Sequence, residues 1–275
     1  MGGLHVGRRN ATFQHWQTLL SNRKKRQRAG EFLVQGVRPI TLAVSTGWPL
    51  VTLLRQDGRR MSDWASGVLD EAGVPVVDVA PELIAELGER PEEPPELIAV
   101  AAVPADDFAR IEVGPGFLGA VFDRPTNPGN IGSLIRSADA FGAAGVVVTG
   151  HAADVYDPQC VRASTGSLFA VPTVRAASHT EVLAWARAQP GLRIVGTDEA
   201  GEVELAEADL SGPTLLLVGN ETAGLSQAWR ESCDVLVRIP MGGTASSLNA
   251  ANAGSIALYE AGVQRRGARR GQAVS

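Results

Sequence analysis

Short apolar runs alternate with stretches of helical periodicity along most of this chain, the pattern of an α/β protein. In its first part, runs at 32–35, 50–54, 75–79 and 97–103 predict strands, and amphipathic stretches at 39–45, 62–71 and 82–87 predict helices between them. Another short helix is predicted over 11–20, behind a residue 1–10 segment expected to be mobile. Segment 105–116, with its Pro, Asp and Gly residues, reads as a linker. Beyond it come six extended runs, at 117–122, 145–149, 168–174, 192–197, 214–218 and 235–239. The implied domains are 1–104, with a basic arm at 1–30, and 117–275.

The stretch 117–142 carries the first candidate chemistry. An apolar strand runs into a Pro/Asn/Gly turn at 124–129, Asn130 is placed to cap a helix reaching Phe141, and Gly142 ends it. Ile131, Leu134, Ile135, Ala138 and Phe141 share one face of that helix, which points Arg136 roughly the opposite way. Arg136 reads either as a solvated cation or as a site residue. Its position beyond a strand end and a glycine-bearing turn is where open α/β sheets build ligand sites.

Composition narrows the class. The 275 residues are 44% hydrophobic and 20% charged, which suits a globular protein with sizeable cores. The longest apolar runs fall short of a membrane span and the N-terminus lacks an apolar signal core, so a cytoplasmic location is expected. Cys160 and Cys233 stand far apart and the four histidines are scattered, so neither a disulfide framework nor a metal site is expected. Net charge is −5, yet residues 1–38 hold eight cations against the single acid Glu31. Arg23, Lys24, Lys25, Arg26 and Arg28 form the densest part of that run and read either as a phosphate-binding footprint or as a solvated arm. The match of 114–119 to GxGxxG precedes a strand instead of following one, which argues against a dinucleotide site.

Three further stretches bear on function. Small polar residues at 163–167 would let either another backbone or a phosphate approach. The strand at 214–218 ends in Gly219-Asn220-Glu221-Thr222-Ala223-Gly224, where Glu221 by itself reads as a helix-capping acid. After the strand at 235–239, a Gly/Thr/Ser loop leads into Leu248, Asn249 and a helix whose first residues are small, which suits close packing.

Asp123, Asn127, Pro128, Asn130, Gly132, Arg136, Ala138, Phe141 and Gly142, then the stretch after 214–218 and the stretch after 235–239, resemble in order the three motifs of the SpoU (TrmH-like) RNA ribose 2'-O-methyltransferases of the SPOUT superfamily. The opening at 30–36 resembles the small L30e-like, ribosomal-protein-like α/β domain that precedes many SpoU catalytic domains and grips RNA. The resemblance implies an α/β fold with a C-terminal trefoil-knotted domain on a parallel sheet, a homodimer, and S-adenosylmethionine as cofactor. It further implies 23S ribosomal RNA of the large subunit as substrate. By the same resemblance Gly196, Thr197, Gly219, Asn220, Ile239, Met241, Ser247 and Leu248 surround the cofactor. Arg136, Asn130, Glu221, Ser247 and Asn249 fall on the catalytic positions.

A guanidinium keeps its proton in proteins, so Arg136 is read here as a phosphate anchor and oxyanion stabiliser, with water or another group taking the ribose proton. Arginine-dominated basic composition adds a likeness to the ribosome methylases of antibiotic producers, including avilamycin- and thiostrepton-resistance types. A housekeeping rRNA methylase, a tRNA ribose methylase and a non-catalytic RNA-binding ribosome factor are the alternatives. The front domain weighs against tRNA, and intact Asn130, Arg136, Glu221 and Asn249 weigh against lost catalysis.

Overall fold

A computed structural model describes residues 4–88 and 92–272, with side chains to residue 268. The first elements are β1 (Leu4–Val6), α1 (Ala11–Ser21), α2 (Arg23–Ala29), β2 (Glu31–Gln35), α3 (Val37–Ser45), β3 (Leu50–Gln56), α4 (Asp63–Ala72), β4 (Val76–Val79), α5 (Pro81–Leu87) and β5 (Leu97–Ala102). There follow β6 (Leu118–Asp123), α6 (Pro128–Ala140), β7 (Gly145–Thr149), α7 (Pro158–Ser164), α8 (Ser167–Ala170), β8 (Thr173–Ala176), α9 (His179–Arg187) and β9 (Arg193–Thr197). The last are β10 (Val203–Glu204), β11 (Thr214–Val218), α10 (Gln227–Ser232), β12 (Val235–Arg238) and α11 (Ala250–Gln272).

The chain divides into two compact units, Met1–Pro104 with Asp154–Ala170, and Ala105–Ala153 with Val171–Ser275. The first is built on a five-stranded sheet of order β1-β4-β3-β5-β2, in which β5 runs antiparallel to both its neighbours. Phe13, Trp16 and Leu19 recur every third residue along α1 and bury a single stripe against Leu33, Leu54, Ile98 and Val100. Asn10 and Asn22 cap α1 and α2 through their side chains, and Gly30 ends α2 in the left-handed region.

Two expectations are corrected in this unit. Residues 4–6, expected in a mobile tail, form an edge strand paired in parallel with β4, while Met1–Gly3 lie outside the described residues. The second concerns Asp154–Ala170, which the sequence pattern grouped with the later domain but which packs within the first unit. Phe32 meets the rings of Tyr156 and Phe169 at centroid distances of 4.8 and 6.3 Å. A Cβ on Gly166 would fall 3.2 Å from Pro39 Cα, so the glycine of the 163–167 stretch lets α3 pack close. Residues 168–170, expected to be extended, belong instead to the helical turn Ser167–Ala170 before β8.

The second unit holds a wholly parallel seven-stranded sheet of order β10-β12-β9-β11-β6-β7-β8; the two-residue β10 is the strand the sequence pattern did not show. Every residue of β6, β7 and β11 is buried, as expected for parallel strands covered on both faces. Val182 and Ala186 of α9 and Trp229 of α10 cover one face with Leu215, Leu217 and Ile194. On the other, Gly254 brings α11 so close that a Cβ would meet Leu134 of α6 and Val218 of β11. The Ser137 and Ser255 hydroxyls bond across the α6–α11 seam at 2.7 Å. No helix among the described residues is long and apolar enough to cross a membrane.

Candidate active site

All strands of this sheet point the same way, so the loops after β6, β9, β11 and β12 emerge at one edge. Such an edge, where the chain order of neighbouring strands reverses, is the usual place for a ligand crevice.

The loop after β6 begins with Arg124 in the left-handed region, at φ 49°. Its carbonyl accepts a bond from Asn220 Nδ2 at 2.7 Å, which fixes that unusual turn from the neighbouring loop. The helix cap differs from the sequence expectation. Asn127 caps α6, its Oδ1 accepting from the Gly129 and Asn130 N–H groups, and Pro128 takes the first helical position, where a missing N–H costs nothing. Asn130 sits in the first turn, and its side chain is left for other use.

That use is a bridge between loops. Glu221 accepts from the Thr126 N–H at 3.0 Å, the Thr126 hydroxyl at 3.2 Å, the Asn127 N–H at 3.2 Å and Asn130 Nδ2 at 3.1 Å. Asn130 Oδ1 in turn accepts from Asn249 Nδ2 at 3.1 Å, and Asn249 Oδ1 takes the Asn252 N–H in the first turn of α11. The loops after β6, β11 and β12 are thereby joined by one chain of hydrogen bonds, Asn249–Asn130–Glu221. Partial burial by itself would raise the Glu221 carboxyl, but the bonds from Thr126, Asn130 and Asn127 outweigh it and hold the group below its ordinary value.

Beside Glu221 lies a cavity of about 390 Å³ between the ends of β9, β11 and β12 and the start of α11. Thr197, Gly219, Asn220 and Glu221 line one side of it, and Ile239, Met241, Ser247 and Leu248 another. Gly219 has to be glycine, because a Cβ there would collide with the backbone of Gly224 and Leu225. Asn220 closes the same loop by pairing its backbone with Gly224 at 3.0 Å in both directions. Residues 240–249 are exposed throughout, and Met241 and Leu248 leave apolar surface uncovered there.

Gly196 lies under the cavity rather than on its wall, closely packed by Cys233, Leu236 and Leu225. Asn130 and Asn249 stand behind Glu221 and do not line the cavity. Arg136 is two turns along α6, exposed, and makes no hydrogen bond or ion pair among the described residues. Burial pushes the Cys233 thiol up to about 12, and burial also raises Cys160, so neither is a thiolate nucleophile at neutral pH.

Residues 118–259 match the SpoU rRNA Methylase family, and residues 10–99 match the SpoU L30e-like domain. The chain belongs to the SpoU rRNA methylase family. The SpoU relative 23S rRNA (uridine(2479)-2'-O)-methyltransferase of Streptomyces viridochromogenes is 59% identical over 261 residues, 94% of this chain and 91% of that protein. The crystal structure of the SpoU methyltransferase AviRb from the same organism, in complex with the cofactor AdoMet, superposes with a TM-score of 0.89. It is 58% identical, covering 94% of this chain and 99% of that one. A more distant relative, the 23S rRNA (guanosine-2'-O-)-methyltransferase RlmB of Pseudomonas syringae pv. tomato, is 34% identical over 80% of both chains.

The basic segment requires a correction. Arg26, counted among exposed cations, is internal: it pairs with Asp154 at 2.8 Å and Asp157 at 3.2 Å and donates to the Leu19 carbonyl at 2.7 Å. Arg23, Lys24, Lys25 and Arg28 are exposed around it. Sequence reasoning missed Arg230, which lines the cavity and pairs with the buried carboxylate of Asp198 at 2.9 Å. A lone arginine on a six-residue helix offered no signal for it. Thr126, whose N–H and hydroxyl hold Glu221, was hidden in the same way inside an ordinary turn.

Proposed function

We propose that this chain is an S-adenosylmethionine-dependent methyltransferase acting on a ribose 2'-OH of 23S ribosomal RNA. The observation that carries the reading is the Asn249–Asn130–Glu221 chain, which joins all three motif loops beside a cavity of cofactor size.

The donor set fits the cofactor. Val218, Ile239, Met241 and Leu248 offer apolar surface for a purine, and the backbone at Thr197 and Gly219 lines the same cavity beside its polar edges. When bound, S-adenosylmethionine supplies a methyl carbon made electrophilic by its sulfonium. Glu221 holds the turn and helix start instead of accepting a proton, since its oxygens are already engaged. Ser247, on the exposed loop, contributes a hydroxyl at the cavity rim. Arg136 anchors the target phosphate and stabilises negative charge developing on the 2'-oxygen, while water takes the proton.

Homodimerisation is part of the proposal. Ile256, Tyr259 and Val263 lie at i, i+3 and i+7 on α11 and are 39%, 52% and 38% exposed, an apolar stripe that continues from the cavity wall at Ala250 and Ala253. The trefoil-knotted threading of the last loop and helix, and a cytoplasmic location, follow from the family reading. Domain 1–104 grips the RNA, with Arg23, Lys24, Lys25 and Arg28 on its exposed basic helix. Methylation protecting the ribosome against an antibiotic is the physiological role the resistance-type likeness supports.

The deciding experiment is transfer of labelled methyl from S-adenosylmethionine to unmodified large-subunit rRNA, with bulk tRNA alongside and Arg136→Ala as control. Label confined to rRNA and lost in the variant is the expected result. Label on tRNA alone would shift the substrate class, and label on neither would leave an RNA-binding factor.

A further inference from the structure

The cavity wall carries an uneven set of charges. Asp198, Glu199 and Glu221 supply three carboxylates, while Arg230 is the single cation among the lining residues. Asp198 is only 2% exposed at its side chain and is held in place by the Ala200 N–H at 3.0 Å and by Arg230 Nε at 2.9 Å. Arg230 is different: its side chain is 44% exposed, and its other N–H groups have no protein partner among the described residues. One terminal nitrogen hangs 4.0 Å from where a Cβ on Gly224 would stand, over the glycine loop at the cavity edge. One end of the guanidinium is thus fixed by a buried acid, and the rest of the fork is presented at the cavity.

A fork so held suits a carboxylate, which it can meet with two parallel charge-assisted bonds. A purine, a ribose or a sulfonium offers it no such partner. The one anionic group on S-adenosylmethionine is the carboxylate of its amino-acid portion, and Glu199 and Glu221, the lining acids not paired with Arg230, would repel that group. On the cofactor reading given above, we propose that Arg230 is the carboxylate-recognising residue of this site, with Asp198 as the positioning residue that aims it. Arg230 would then separate S-adenosylmethionine from adenosyl compounds lacking the carboxylate, a discrimination that backbone contacts to the purine cannot make.

The test is calorimetric binding to the full-length protein of S-adenosylmethionine and of its decarboxylated analogue, which keeps the adenosine, sulfonium and amine. Wild type should prefer S-adenosylmethionine by about 10- to 100-fold, the span of one charge-assisted contact. Arg230→Met should abolish that preference, bringing S-adenosylmethionine down to the analogue while the analogue's own affinity moves less than about twofold. Arg230→Lys guards against a folding artefact: with thermal stability near wild type, it should keep part of the preference. Equal weakening of both ligands in Arg230→Met, or a preference that survives intact, would overturn the assignment. Failure of wild type to bind either ligand would instead sink the S-adenosylmethionine reading itself, and this proposal with it.

Discussion

Glu221 Oε1 accepts from Asn130 Nδ2 at 3.1 Å, and that bond ties the loop ending β11 to the first turn of α6 across 91 residues of chain. Because Asn130 passes its other side-chain atom to Asn249, the orientation of one amide depends on a carboxylate at one end and a helix start at the other. The relation makes Glu221 an organiser whose worth lies in remaining ionised.

Replacing Glu221 should therefore act through geometry. Glu221→Ala leaves the Thr126 and Asn127 N–H groups and the Asn130 amide without their acceptor, and methyl transfer should fall by about 100-fold, the cost of a misplacement near 1 Å. Depression of the Glu221 carboxyl in the folded state means its stabilisation is complete above the unfolded value of about 4.3 and is lost as pH falls through the folded value. Melting curves of wild type and Glu221→Gln should accordingly be separated at neutral pH and converge in acid. Parallel curves down to pH 3 would remove the carboxylate from this role.

Gly219→Ala tests the cavity wall. The added methyl collides with the Gly224–Leu225 backbone, which no side-chain rotation can relieve, so the loop must open. A loss of about 1–3 kcal/mol in stability is expected, with cofactor binding weakened at least about tenfold. Wild-type affinity in isothermal calorimetry would show that the loop's shape is immaterial to the ligand.

The basic helix should divide into two kinds of cation. Arg26→Ala leaves Asp154, itself buried, without its partner, and such a broken pair costs about 3–5 kcal/mol. Lys24→Glu and Lys25→Glu, both on the surface, should leave the melting temperature alone and flatten the salt dependence of RNA binding, by about 0.7–0.9 in log–log slope for each phosphate no longer neutralised. An unchanged slope would return both lysines to plain solvation.

What the sequence made legible follows from where its information is local. Parallel strands such as β7 and β11 stand out because both faces are buried and the run is apolar throughout. Motif residues Asn130, Glu221 and Asn249 could be named, but the bonds between them span loops far apart in the chain and no spacing rule reveals them. The cap of α6 was misplaced by three residues because Asn127 and Asn130 are both good caps, and only Pro128 at the first helical position favours the former. Arg26 looked like its exposed neighbours because the acids that bury it lie 128 and 131 positions away. Asp154–Ala170 defeated the domain division for the same reason: its partners Phe32 and Pro39 belong to an earlier part of the chain.

The stripe on α11 predicts an oligomer. Tyr259→Asp and Ile256→Asp place charges on residues already half in water, so folding should be kept. Sedimentation should show a dimer for wild type and a monomer for the double variant. A dimer that survives both charges would move the interface to another face.

Arg136 gives the cleanest separation of chemistry from structure. Its side chain is exposed and has no hydrogen bond or ion pair among the described residues, so substitution should change stability by no more than about 0.5 kcal/mol. Any loss of rate then belongs to contacts made with RNA or the transition state. Arg136→Ala should lower kcat by about 100-fold or more, as removal of one oxyanion donor does. Lysine keeps the charge but not the planar fork, so Arg136→Lys should fall between the two if phosphate and 2'-oxygen are held together. Near-full activity of the lysine variant would leave only a point charge to explain. A large loss with RNA affinity unchanged would place the arginine's contribution in the transition state, where charge on the 2'-oxygen develops.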